Sequence, residues 1–220
     1  MKSKIIFAVI FIAVLGAVAI AMIFFIKEWS PATLAPSSEN PPATELRPTE
    51  EEQQLKGEPQ KAIPASNAMD TDYFTVNLPQ GWEKTSEGDD LPLIISDTLE
   101  EITDEKAKET GFRTNFSINS TSLGETSLDD YVELVKASLV QTIAIMEITK
   151  EEQAVINGAK ASIVEVKSAQ DNLNFRTILA IFAGKENTVW AFSFNTLEDS
   201  WPDNESIFRQ IIESIKMKPR

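Results

Sequence analysis

NFRTILAIFA (174–183) and TVWAFSFN (188–195), joined by GKEN (184–187), decide the fold. Successive side chains of a strand alternate between faces, so Phe175, Leu179 and Ile181 point one way and Ile178, Ala180 and Phe182 the other. In the second run Trp190, Phe192 and Phe194 share one face and Val189 and Ala191 the other. A strand that is apolar on both sides needs cover on both faces of its sheet. The chain must supply two covering layers, and both are legible in the flanking sequence.

Ser127-Leu-Asp-Asp130 has the form of a capping box, with a hydroxyl at the helix start and an acidic residue three positions on. Behind it Leu128, Tyr131, Val132, Val135, Leu139, Ile143 and Met146 recur at three- and four-residue steps, which predicts an amphipathic helix over 127–145 with one buried stripe. A C-terminal helix carrying Ile207, Phe208, Ile211, Ile212 and Ile215 starts at Ser200-Trp-Pro-Asp203, where proline suits the first helical turn.

The sheet extends on the N-terminal side. Glu147 to Ile156 and Ala159 to Lys167 flank Asn157-Gly158, the strongest short-range hairpin signal, because both turn residues tolerate positive φ. YFTVNL (73–78) alternates Phe74, Val76 and Leu78 on one face before the turn Pro79-Gln80-Gly81-Trp82. Further strands are expected over Leu91 to Ser96 and Phe112 to Ser120, separated by an acidic, weakly helical surface insertion from Asp97 to Thr110. The expected fold class is α+β: an α/β/α sandwich with a central, mainly antiparallel sheet.

Residues 69–220 make this one domain, of a size that supports a single core. Ahead of it, Lys27 to Ala68 holds seven of the chain's 11 prolines and the run Glu50-Glu51-Glu52, and reads as a disordered, acidic, proline-rich linker. Ile5 to Ile26 has no charged or polar side chain, and a helix of that length reaches about 33 Å against a hydrocarbon core of about 30 Å. It exceeds the apolar core of a cleaved secretory signal and ends in Phe24-Phe25-Ile26-Lys27 without small residues. Residues 1–26 are therefore expected to be a cytoplasmic N-terminus and single-pass transmembrane anchor. Lys2 and Lys4 before the run and the acidic flank after it place the C-terminal domain outside the cytoplasm.

Composition narrows the chemistry. The 220 residues contain no Cys and no His, which removes disulfides, thiolate nucleophiles, histidine-dependent triads and histidine zinc sites. A net charge of −14 repels phosphate backbones, so no nucleic acid partner is expected. The glycines fall between periodic segments, and no phosphate-cradling glycine loop occurs.

The acidic clusters are the candidate hard-oxygen ligands for calcium: Asp70 with Asp72, Asp89 with Asp90, Glu100-Glu101 with Asp104-Glu105, and Asp199 with Asp203 and Glu205. None follows the spaced Asp-x-Asp-x-Asp-Gly loop, so they read as a solvated acidic surface. No catalytic, cofactor-binding or metal-ligating residue is assigned. Paired carboxylates acting on glycosides stand last among the readings, for want of a sugar platform. Trp82 and Trp190 sit at core positions and Trp201 is the exposed tryptophan. Asn115, Asn119 and Asn204 stand in Asn-x-Ser/Thr triplets.

The strings YFTVNLPQGWEK (73–84), TSLDDYVE (126–133), VINGAKASIVEV (155–166), the hairpin from Thr177 to Phe194 and FRQIIESIKMK (208–218) resemble the PsbP-like superfamily over nearly all of 69–220. That superfamily includes the extrinsic photosystem subunit, a Ran-binding import factor and membrane-anchored bacterial relatives. The resemblance implies the sandwich fold and a non-enzymatic assembly, docking or ligand-binding role. The expected protein is a membrane-anchored, non-catalytic extracytoplasmic domain that docks with or helps assemble another envelope component, with another envelope protein as the expected partner. The alternative is a carrier or sensor of a small apolar or lipid ligand held between sheet and helix.

Overall fold

The computed structural model describes residues 65–86 and 92–218. The expected anchor over 5–26, all but the last residues of the expected linker, and Asp89 and Asp90 lie outside them. Among the described residues no helix is long and apolar enough to cross a membrane.

Among the described residues ten strands form two antiparallel sheets: β1 (Ala65–Asp70), β2 (Phe74–Pro79), β3 (Trp82–Lys84), β4 (Leu93–Asp97), β5 (Asn115–Ser122), β6 (Ile145–Ile156), β7 (Ala159–Gln170), β8 (Leu173–Ala183), β9 (Thr188–Leu197) and β10 (Lys216–Met217). The large sheet has the order β3-β4-β5-β9-β8-β7-β6, and β1-β2-β10 form a small second sheet. Among the described residues three α-helices accompany them: α1 (Glu105–Thr110), α2 (Leu128–Thr142) and α3 (Trp201–Ser214). The described part of the chain is thus mixed α+β with antiparallel sheets and few helices. β1 begins at Ala65, ahead of the domain start expected at 69.

The hairpins follow from their turn residues. Asn157 and Gly158 both have positive φ, 48° and 85°, which joins β6 to β7 in the tight turn that matches strand twist. Asp171 and Asn172 repeat the device between β7 and β8 at φ 51° and 63°. Aspartate and asparagine occupy this region with less strain than other side chains. β6 is an edge strand of 12 residues, broken by a register shift between Ile148 and Lys150 and carrying Lys150 and Glu152 as an ion pair. Bulges and charges of this kind discourage further strands from adding to an edge.

Both faces of the large sheet are covered, as the two-sided hairpin requires. On one face α2 lays Tyr131, Val132, Val135 and Leu139 against Val164, Val166, Leu179, Ile181, Val189 and Ala191. The start of α2 is fixed by Ser127, whose Oγ accepts from the Asp130 backbone N–H at 3.1 Å and donates to the Asp130 carboxylate at 2.7 Å.

On the other face α3 and the small sheet share the cover. Phe74, Val76 and Leu78 of β2 and Phe208, Ile211 and Ile212 of α3 pack with Ile178, Ala180, Phe182, Trp190, Phe192 and Phe194. Aromatic rings fill this layer: Phe194 to Phe208 at 5.3 Å, Phe116 to Phe194 at 4.9 Å and Trp82 to Phe116 at 5.9 Å. Each such pair adds about 0.5–1.5 kcal/mol beyond the area it buries. The small sheet is the layer the sequence did not announce: β2, which alternates like a sheet strand, pairs with β1 and β10 and not with the main sheet.

Candidate functional site

Five of the acidic residues singled out for chemistry are engaged in the structure itself. Asp104 caps α1, accepting from Ala107 N at 2.8 Å. Glu100 accepts from the backbone N–H and the hydroxyl of Thr114, both at 2.6 Å. Glu105 pairs with Lys108, Glu205 with Arg209, and Asp70 with Lys218. Among the described residues no group of three or more acidic side chains is arranged to hold a metal ion.

Trp82 and Trp190 are buried, at 2% and 6% exposure. Trp201, expected at the surface, is half-buried: its ring lies edge-on to Phe208, and the Arg176 guanidinium sits 4.4 Å above it. Of the three sequon asparagines, Asn204 is buried and donates to Ser200 O and Thr196 Oγ1, so it is a structural residue. Asn115 accepts from Asn195 and donates to the Arg113 carbonyl, and the carboxamide oxygen of Asn119 accepts from the Ser120 N–H.

At one end of the sheet lies a charge cluster that sequence reading missed. Glu165 of β7 is buried and bonds the Arg209 guanidinium of α3, with Arg176 of β8 at 3.6 Å. Burial alone would lower the Arg209 pKa; the charges of Glu165 and Glu205 and its hydrogen bonds to them more than reverse that and raise it. Arg176 Nε is buried without a partner, its other nitrogens facing Glu165 and Glu198. The cluster clamps α3 to the sheet and uses its charges on one another.

The opposite end of the sheet is open. A cleft of about 590 Å³ is framed by three turns: Asp72 and Tyr73 before β2, Asn157 and Gly158 between β6 and β7, and Gly184 to Glu186 between β8 and β9. Met217 and Lys218 close it on the C-terminal side, and Trp190 forms its floor. A smaller depression of about 230 Å³ lies where β2 meets α3.

Two local features shape the floor. Gly184 lies flat against the indole: a Cβ there would come within 2.9 Å of Trp190 Cδ1 and of the Thr188 carbonyl, so any larger residue lifts the turn off the ring. Tyr73 leans on the other side of Trp190, with ring centroids 5.0 Å apart and planes tilted by 36°. Tyr73 is 48% exposed, yet its backbone is pinned, the N–H donating to Thr71 Oγ1 at 3.2 Å and the carbonyl accepting from Lys218 N at 2.8 Å. An exposed ring on a fixed backbone is a ready contact surface.

The family described as PsbP matches the chain over residues 67–217. No curated protein matches it. Among solved structures, the cyanobacterial PsbP (CyanoP) of Synechocystis sp. is similar with a TM-score of 0.52 at 15% identity, over 74% of this chain and 99% of that one. LpqN of Mycobacterium tuberculosis, involved in cell envelope biogenesis, gives 0.52 at 12% identity over 66% and 83%. The Ran-binding protein Mog1p of Saccharomyces cerevisiae gives 0.45 at 13% identity over 64% and 88%. At these identities the first two likenesses show a shared fold.

Proposed function

This chain belongs to the PsbP family, and we propose on that premise that it is a single-pass membrane protein whose domain, displayed outside the cytoplasm on a proline-rich stalk, binds another component of the cell envelope and catalyses no reaction. The observation that carries this reading is the open cleft at the turn end of the sheet, set against a core whose layers are filled. Pockets of about 300–1,000 Å³ with a few polar groups are the usual form of a binding site. The alternative, a small apolar or lipid ligand held between sheet and helix, has little support, because the rings of Trp82, Phe194 and Phe208 occupy the space under α3 and Tyr131, Val132, Val135 and Leu139 that under α2. The fold is compatible with an envelope role, since LpqN has it.

A photo-reactive p-benzoylphenylalanine at position 186, on the rim, tests this against the same group at exposed position 109 on α1, beyond the other end of the sheet. In native membranes the rim position should yield a discrete adduct and position 109 none. Identical patterns from both, or no adduct at the rim, would overturn the assignment of the cleft.

A further inference from the structure

Resting on that reading, we propose that the cleft receives a neutral sugar ring of a glycan, seated on the exposed face of Tyr73. The rim carries two cationic side chains, Lys185 and Lys218, and two anionic ones, Asp72 and Glu186. The Lys218 ammonium is already paired with Asp70, so an anionic ligand would meet the carboxylates of Asp72 and Glu186 without a surplus of positive charge to answer it, and the rim disfavours a ligand with net negative charge.

The walls argue against an extended peptide. β2 is paired on both sides by β1 and β10, and β7, β8 and β9 are interior strands of the large sheet. The strands that line the cleft are interior ones except β10, whose two residues give too short an edge for a peptide to add by main-chain hydrogen bonds.

A pyranose ring has what this site offers partners for. Its C–H face is apolar and matches the half-exposed Tyr73 ring braced on Trp190. Its hydroxyls are both donors and acceptors, and Asp72, Ser120 and Thr188, residues with polar side chains, line the same cleft. Gly184 keeps the floor low beside the indole, leaving room for a flat ring.

The test titrates the full chain, held in the sugar-free detergent lauryldimethylamine oxide, with chitotriose and with cellotriose by calorimetry. At least one should bind saturably, with an affinity unchanged by added salt, as a neutral ligand requires. Tyr73→Ala should weaken binding by about tenfold or more, the loss expected on truncating an aromatic anchor. Tyr73→Phe, which keeps the ring, should stay within about twofold of the parent. Circular dichroism of both variants establishes that they fold. Failure of both trisaccharides to bind overturns the proposal, because contact with an aromatic face is common to neutral pyranoses. So does binding indifferent to Tyr73→Ala, or tighter binding of trigalacturonate. If no sugar binds while position 186 still captures a protein in native membranes, the docking function stands and the glycan assignment falls. If neither occurs, both fall.

Discussion

Asn157 reaches from the β6–β7 turn to the end of α3, where its side-chain amide donates to the carbonyl of Ile215 at 2.8 Å and to that of Glu213 at the same distance. The last carbonyls of a helix have no partner within it, so a residue 58 positions earlier supplies one. The same asparagine holds φ at 48° for the hairpin. One side chain thus fixes the turn, the end of α3 and one wall of the cleft.

Asn157→Asp separates these roles, because aspartate also tolerates left-handed backbone but brings no amide donor. Two carbonyls lose their partner and face a carboxylate at the negative end of the helix. Urea unfolding should show a loss of about 1–3 kcal/mol. A loss within error would mean the contact contributes nothing.

The aromatic layer gives a sharper contrast. Phe192 is fully buried, its ring 5.2 Å from that of Phe74 and 5.6 Å from that of Phe182. Phe192→Ala should cost about 3–5 kcal/mol, the range for deleting a core ring. Glu101 is exposed, and Glu101→Ala should stay within about 0.5 kcal/mol. Equal destabilisation would refute the assigned faces.

Those faces were legible because they depend on local alternation. Phe182, Trp190 and Phe192 fall on one side and Ile181, Val189 and Ala191 on the other, as their spacing predicts. Ser127 and the Asn157-Gly158 turn were equally plain, since their chemistry is complete within four residues. β10 was not legible: two residues carry no period, and the strand exists only because β2 lies beside it. The Asp171-Asn172 turn lacks the glycine that usually marks such a site. Tyr73 on Trp190 and Arg209 on Glu165 join residues far apart in the chain, for which local sequence gives no signal. Trp201 reads as exposed beside Pro202, but Arg176 of β8 covers it.

Stability should also depend on alkaline pH through Tyr131. Burial in the α2 layer pushes its phenol from the ordinary 10.0 up to about 12. The folded state therefore holds this proton more tightly than the unfolded one. The stabilisation is fully present below about pH 10 and is lost as pH rises through about 12, amounting to about 3 kcal/mol at most. Lys136, raised by its hydrogen bonds to Glu133 and Glu151, acts in the same direction. Tyr131→Phe should remove the phenol's share alone, so the gap between variant and parent in urea midpoints should change across that window. A constant gap would show that Tyr131 ionises as it does in the unfolded chain.

Glu165 stands between two guanidinium groups, its side chain 6% exposed. Glu165→Ala should cost about 3–5 kcal/mol, because it leaves Arg176 and Arg209 partly buried without their carboxylate. Glu205 also pairs with Arg209, but its side chain is 41% exposed, and Glu205→Ala should cost less than about 1 kcal/mol. Comparable losses would mean that the buried pair contributes no more than a solvated one.

The proposed anchor makes the last prediction. Ile5 to Ile26 is uninterrupted by any polar side chain, and a helix of that many residues would reach about 33 Å against a bilayer core of about 30 Å. Washing membranes with alkaline carbonate should leave the chain in the pellet; recovery in the supernatant, or a mature N-terminus beyond Ile26, would remove the anchor. A flexible chain as long as the proposed stalk, about 40 residues, would have a root-mean-square span of about 35 Å, which would confine the domain near the bilayer and raise its local concentration there. Adduct yield from position 186 should therefore fall when the domain is released by cleavage within the stalk. An undiminished yield would mean that the membrane contributes nothing to the encounter, and the tether would lose its part in the function.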